Sequence, residues 1–124
     1  MEKEQKTVVL GASNNPSRYS YTACQMLHEQ GREFIPIGIK HGKVFGKDIL
    51  PILNHPTIDN VETVTLYMNP AHQKPHYDFI LNMKPKRIIF NPGTENMELR
   101  NLAEQKGIDT EFSCTLVLLS TGQY

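Results

Sequence analysis

The chain has 124 residues, 39% hydrophobic and 21% charged, and its 13 basic and 13 acidic side chains give a formal net charge of zero. That length suits one domain burying roughly two thirds of its unfolded surface, and the composition excludes a disordered or fibrous chain. The charge balance argues against nucleic acid or an anionic membrane as partner, since both call for a basic face; the local cluster Lys84, Lys86 and Arg87 reads as a solvated loop.

Strand and helix signals alternate along the chain. The β-branched run TVVLGAS (7–13) reads as a buried strand. Residues 20–31 read as a helix, with Ser20 as N-cap, an apolar stripe of Ala23, Cys24 and Leu27, and Gly31 at the C-cap. EFIPIGI (33–39) is a second strand whose ladder is expected to end at Pro36. Residues 40–60 read as loops with one helical turn around Leu50 to Leu53, and VETVTLYM (61–68) as a third strand. Asn69-Pro70 marks a helix start, Pro75 breaks that pattern, and a regular helix is expected from Pro75 to Met83. RIIFN (87–91) is a fourth strand, and 95–106 a helix with Leu99, Leu102 and Ala103 on one face and Gly107 as its stop. TEFSC (110–114) is a fifth strand. The tail TLVLLSTGQY follows, and its four apolar positions Leu116 to Leu119 call for cover from the sheet or, as a homodimer, from a second copy.

Strands joined by crossover helices imply a parallel sheet covered on both faces. The fold expected is α/β, a Rossmann-like three-layer sandwich with a five-stranded parallel sheet in the order 3-2-1-4-5. Its ligand would then lie outside the carboxyl ends of the first and fourth strands. The loops there, GASNNPSR and FNPGTEN, are rich in residues that accept unusual backbone angles and expose N–H groups. Gly11, Ala12 and Ser13 form the turn, the helix starting near Ser20 aims its positive end at the crevice, and Arg18 can grip two phosphate oxygens at once. A phosphate-bearing ligand follows. Only Gly11 stands in a G-x-G-x-x-G pattern, and the second strand ends with Lys40 and Lys43 where NAD sites carry an acid for the ribose. A cation there suits a phosphorylated ribose, as in NADP or coenzyme A.

No apolar run reaches about 18 residues, so no spanning helix is expected. The charged start MEKEQK is not a signal peptide, and Cys24 and Cys114 form no CxxC pair and read as reduced thiols. The expected compartment is the cytoplasm. His72 and His76 are four apart but lack a third ligand, so they read as surface histidines, with no metal site. Cys24 reads as core. Cys114, at the end of the fifth strand, is expected within reach of the crevice, and Glu95 in the first turn of a helix. No catalytic residue is identified.

VVLGASNNPSRYSYTACQMLHEQGREFIPIGIK, together with VFGKDILPIL, TVTLYMNP, FNPG and CTLVLLSTGQ, resembles the stand-alone CoA-binding protein family. These small domains are similar to the N-terminal CoA-binding domain of the succinyl-CoA synthetase alpha subunit. The resemblance runs from Thr7 over nearly the whole chain and implies a single CoA-binding domain, 1–124, holding CoA or an acyl-CoA by its nucleotide end. By position it places the phosphate loop on Asn14, Asn15, Pro16 and Ser17, a CoA-contacting lysine on Lys40, and a second CoA loop on Asn91, Pro92 and Gly93. The synthetase loop is richer in glycine, and Asn91-Pro92-Gly93 lacks its acidic member. The synthetase also uses a phosphohistidine on a later domain, and none of the five histidines here falls at an equivalent position. A non-catalytic CoA-binding protein is therefore expected. The alternatives are an NADP-dependent oxidoreductase and a nucleotide-sensing regulatory protein.

Overall fold

The computed structural model describes residues 5–124. In chain order its strands are β1 (Lys6–Leu10), β2 (Phe34–Gly38), β3 (Lys43–Val44), β4 (Lys47–Asp48), β5 (Leu50–Pro51), β6 (Val61–Leu66), β7 (Arg87–Phe90) and β8 (Asp109–Phe112). The helices are α1 (Tyr19–Glu29), α2 (Pro70–Gln73), α3 (Tyr77–Asn82), α4 (Met97–Gln105) and α5 (Thr115–Ser120). Six strands make one parallel sheet in the order β5-β2-β1-β6-β7-β8, and β3 and β4 form a separate antiparallel hairpin.

The α/β architecture with a parallel sheet is as expected, but the sheet has six strands rather than five, and the order differs. The third predicted strand, now β6, pairs directly with β1 through Val8↔Val64 and Val9↔Thr65 instead of lying outside β2. Burial explains this. Five of the six β6 residues are buried, Thr63 and Thr65 among them, and a strand covered on both faces belongs in the middle of a parallel sheet. The outer place beside β2 goes to β5, whose two residues are only half-buried and lie in the stretch expected to be loop.

The ladder also continues through Pro36. The Ile37 carbonyl faces β1, accepting from the Gly11 and Ala12 amides at 2.8 and 2.9 Å. Alternation then turns Pro36 to the outer side, where pairing with β5 begins only at Ile37. The β3–β4 hairpin turns through Phe45 and Gly46, both at positive φ as a type I′ turn requires. Phe45 docks it on α1, with ring centroids 5.0 Å from Tyr21 and 5.7 Å from His28.

Alternation along β1 divides the core between the two faces. Val8 and Leu10 join Phe79, Ile80, Leu99 and Ala103 under α3 and α4, while Val9 joins Cys24, Leu27 and Leu119 under α1 and α5. Cys24 is core as expected. α1 begins one residue earlier than predicted, with Arg18 at its N-cap and Ser20 buried within its first turn. Glu95 lies before α4, which Asn96 caps by accepting from the Leu99 amide at 3.2 Å. Pro75 splits the region after β6: α2 forms with Asn69 as its cap, a 3-10 turn covers Lys74–His76, and α3 starts at Tyr77. Arg87 is not in a solvated loop. It stands in β7, where its guanidinium donates to the Thr63 hydroxyl at 3.1 Å and lies 4.6 Å from the Tyr124 ring centre.

The tail is a helix, α5, folded on its own domain. Leu119 is buried against α1, its carbonyl accepts from the Gln30 amide side chain at 3.0 Å, and the Tyr124 hydroxyl is hydrogen-bonded to Thr7. Val117 faces away and is 54% exposed. Leu119→Ala is therefore expected to lower stability by about 2–5 kcal/mol, and Val117→Ala to change it by less than about 0.5 kcal/mol, both read from urea unfolding midpoints. Equal effects would mean that α5 is not packed on this face.

Candidate functional site

The revised strand order relocates the crevice. The chain runs from β1 outward to β2 and then crosses back to β6, so the order reverses between β1 and β6 rather than between the first and fourth predicted strands. A cleft of about 800 Å³ lies there, beyond the carboxyl ends of the strands.

Two glycines bring its walls together. Gly11 has φ +98°, and a Cβ on it would come within 2.9 Å of Met68 Cγ and 3.0 Å of the Tyr67 carbonyl carbon. Gly38, the last residue of β2, lies against the Ala12 carbonyl oxygen, which a Cβ would approach to 2.4 Å. The turn after β1 is thus pinched between the ends of β2 and β6. The rest of the loop is held by its own polar groups. Ser13 Oγ accepts from the Asn15 amide at 3.0 Å, and Asn15 Oδ1 accepts from the Ser17 amide and hydroxyl at 3.0 and 2.8 Å. The Arg18 amide donates to the Asn15 carbonyl at 3.0 Å, which delivers the chain into α1. Asn14 lies over Gly42, so the loop carrying Lys40 folds down beside it.

Of the residues expected at the site, Gly11, Ala12, Ser13, Asn14, Asn15, Arg18, Ser20, Lys40, Pro92 and Gly93 line this cleft. Pro16 and Ser17 are exposed outside the lining, with Ser17 occupied by Asn15. Asn91 is buried beneath it and fully engaged: Nδ2 donates to Thr65 Oγ1 and the Leu66 carbonyl at 2.7 and 2.8 Å, and Oδ1 accepts from the Thr115 amide at 2.8 Å. It fastens β6, β7 and the start of α5, with its side-chain amide engaged at both ends. The Gly93 amide is likewise taken, donating to Glu95 Oε1 at 2.9 Å. Cys114 caps α5 half-buried and does not line the cleft.

The wall after β6, with Tyr67, Met68, Asn69, His72 and His76, is missing from the sequence reading because that strand was placed at the sheet edge. His76 is also not a surface residue. It is 8% exposed, with Nδ1 2.9 Å from His55 Nε2, and His55 stacks on Phe79 at 4.8 Å. Burial, and secondarily His55, hold the His76 imidazole below its usual range. Burial pushes the Tyr67 phenol upward, against the pull of the Thr65 and Thr115 hydroxyls beside it. Among the described residues no three His, Cys, Asp or Glu side chains come together as metal ligands. The cleft's lining includes Arg18 and Lys40 but no Asp or Glu, and neither cation forms a salt bridge among the described residues. Although the chain is neutral overall, this cleft favours an anion.

Two outcomes follow from these environments. Burial pushes the Cys24 thiol up to about 12, so at pH 8 a thiol reagent is expected to label Cys114 in the native protein and Cys24 only after unfolding; peptide mapping checks the order. For His76 the folded state takes up its proton at lower pH than the unfolded chain, whose value lies near 6.5. Below that pH the unfolded state binds more protons, so stability falls as pH drops through the window beneath 6.5. His76→Gln is expected to flatten that part of the pH dependence in urea unfolding. An unchanged slope would mean that His76 titrates as a free histidine.

Comparison with known proteins places these features in context. The model of the CoA binding domain family matches residues 5–120. A crystal structure of an uncharacterized protein is 48% identical, covers 99% of this chain and 100% of its own, and superposes with a TM-score of 0.93. A hypothetical protein from Pyrococcus horikoshii shares the fold at 24% identity and a TM-score of 0.81, over 96% of this chain and 84% of its own. A Thermus thermophilus structure does so at 19% identity and the same TM-score, over 98% and 91%. No match is found among curated proteins. The chain belongs to the CoA binding domain family, the domain type found in succinyl-CoA synthetase alpha-like proteins.

Proposed function

We propose that this protein binds coenzyme A, free or acylated, by its nucleotide end in the cleft between β1 and β6, and that it holds the ligand without transforming it. The observation that carries the reading is the cleft itself. A glycine turn, the start of α1 and the cations Arg18 and Lys40 meet there, with no salt bridge to either and no Asp or Glu in the lining among the described residues. Family membership supports CoA among phosphate-bearing ligands. In this reading the turn Gly11–Ser13, with Asn14, Asn15 and Arg18, faces the diphosphate, Lys40 meets the phosphorylated ribose, and Pro92 and Gly93 border the pantetheine arm. A holding role is supported by the lining, which among the described residues holds no Asp, Glu or Cys; of its histidines and buried phenols, His76 is already bonded to His55, and the Tyr67 phenol is held protonated by burial.

Thermal melting against CoA, acetyl-CoA, NADP, NAD and ATP tests the ligand class. A ligand at a hundred times its dissociation constant adds about 2.7 kcal/mol of stability, and CoA and acetyl-CoA are expected to give the largest shifts. A larger shift with NADP would favour an oxidoreductase. Lys40→Ala tests the pose. A charge-assisted hydrogen bond contributes about 1.5–3 kcal/mol, so the substitution is expected to weaken CoA roughly tenfold to a little over a hundredfold. Dephospho-CoA, which lacks the ribose 3′-phosphate, should be nearly unaffected in calorimetry. Equal weakening of both ligands would remove Lys40 from the phosphate.

A further inference from the structure

Two large apolar side chains line the cleft yet stand out of the core. Tyr19 is 75% exposed and Ile39 79% exposed, whereas Ala12 and Ile52 in the same lining are buried. Tyr19 stacks on no other ring among the described residues. Each is adjacent in sequence to one of the cleft's two cations: Arg18-Tyr19 opens α1, and Ile39-Lys40 follows β2. Because Gly38 is pressed against the Ala12 carbonyl, Ile39 leaves the sheet directly beside the phosphate turn. A flat aromatic face and an aliphatic face, each next to a cation, match a molecule with a flat apolar ring and phosphates a few bonds away.

We propose that Tyr19 and Ile39 are the base-binding walls of the cleft, holding the adenine of a 3′-phosphorylated adenosine ligand while Arg18 and Lys40 take its phosphates. The proposal rests on the reading of the cleft as the nucleotide end of a CoA site. The position agrees with the general layout of these folds, in which the adenosine ribose lies at the end of the second strand. An exposed tyrosine stacks on any base, because every base presents a π-face. Ile39, in the same lining, adds an aliphatic contact without requiring a hydrogen bond. The pantetheine arm, a chain of amides and methylenes, offers Tyr19 no such face.

The chain contains no tryptophan, so Tyr19→Trp introduces a single fluorophore at this wall. Its emission is expected to be quenched by CoA, dephospho-CoA and 3′,5′-ADP alike. In calorimetry Tyr19→Ala should weaken all three by one common factor of about five- to 150-fold, the span of a base–aromatic stack. Tyr19→Phe should bind as the wild type does, and Ile39→Ser should weaken the same three ligands together. The proposal is overturned if Tyr19→Ala weakens CoA but not 3′,5′-ADP, since Tyr19 would then touch the pantetheine arm. It is also overturned if the substitutions change only the oligomeric state in light scattering, since the two side chains would then meet another copy. Failure of the wild type to bind CoA would instead refute the reading of the cleft, and this proposal with it.

Discussion

The Ala12 carbonyl oxygen lies so near the α-carbon of Gly38 that a Cβ there would come within 2.4 Å of it, and Gly11 is equally confined against Tyr67 and Met68. These contacts set the spacing of three strand ends. A side chain at position 38 would push β2 from the turn, and one at position 11 would meet β6 while also forcing a positive φ on a residue with a Cβ. In either case the start of α1, the Lys40 loop and the wall after β6 would move apart. With Gly11 just after β1 and Gly38 at the end of β2, this fold does what dinucleotide folds do with several glycines in one loop: it lets backbone approach backbone. The short glycine pattern after β1 therefore does not argue against a phosphate site.

A second layer of buried amides keeps the other wall in place. Gln73 is fully buried; its Nε2 donates to the Met68 and Thr94 carbonyls at 2.7 and 2.9 Å, and its Oε1 accepts from Asn96 at 2.9 Å. With Asn91 it joins the loops after β6 and β7, so Met68 and Thr94 border one cleft. Each of these amides is engaged from both ends, and removing one would leave buried partners unpaired. Asn91 therefore lies beneath the site, as support, while exposed side chains that remain for a ligand are at the rim, among them Asn14, Arg18, Tyr19, Ile39, Lys40 and His72.

Much of this was legible in residue pattern. The β-branched and apolar runs locate all five main strands, and the helix of 95–106 is found within two residues at its start and one at its end. Gly31 and Gly107 mark where α1 and α4 stop. Strand order was not legible, because alternation and composition say which residues are strand but not which neighbour they choose. The burial of Thr63 and Thr65, polar residues in a strand of valines, hides a central position behind an edge-like sequence. That misplacement carried the loop after β6 out of the expected site. The His55–His76 pair was equally hidden, since the two residues lie on different loops and meet only when the 3-10 turns that follow β5 and α2 come together. The loop after β1 is more legible because its bonds are local: Asn15, Ser17 and Arg18 bond within a few residues.

The central claim is that CoA occupies the β1–β6 cleft by its nucleotide end. Amide chemical shifts of isotope-labelled protein, followed by NMR during titration with CoA, test it most directly. The account predicts saturable shifts concentrated in residues 11–20, 38–40 and 67–69, with the far end of the sheet around Lys84 and Lys106 unmoved. Saturable shifts centred on that far end, or none at millimolar CoA, would contradict it.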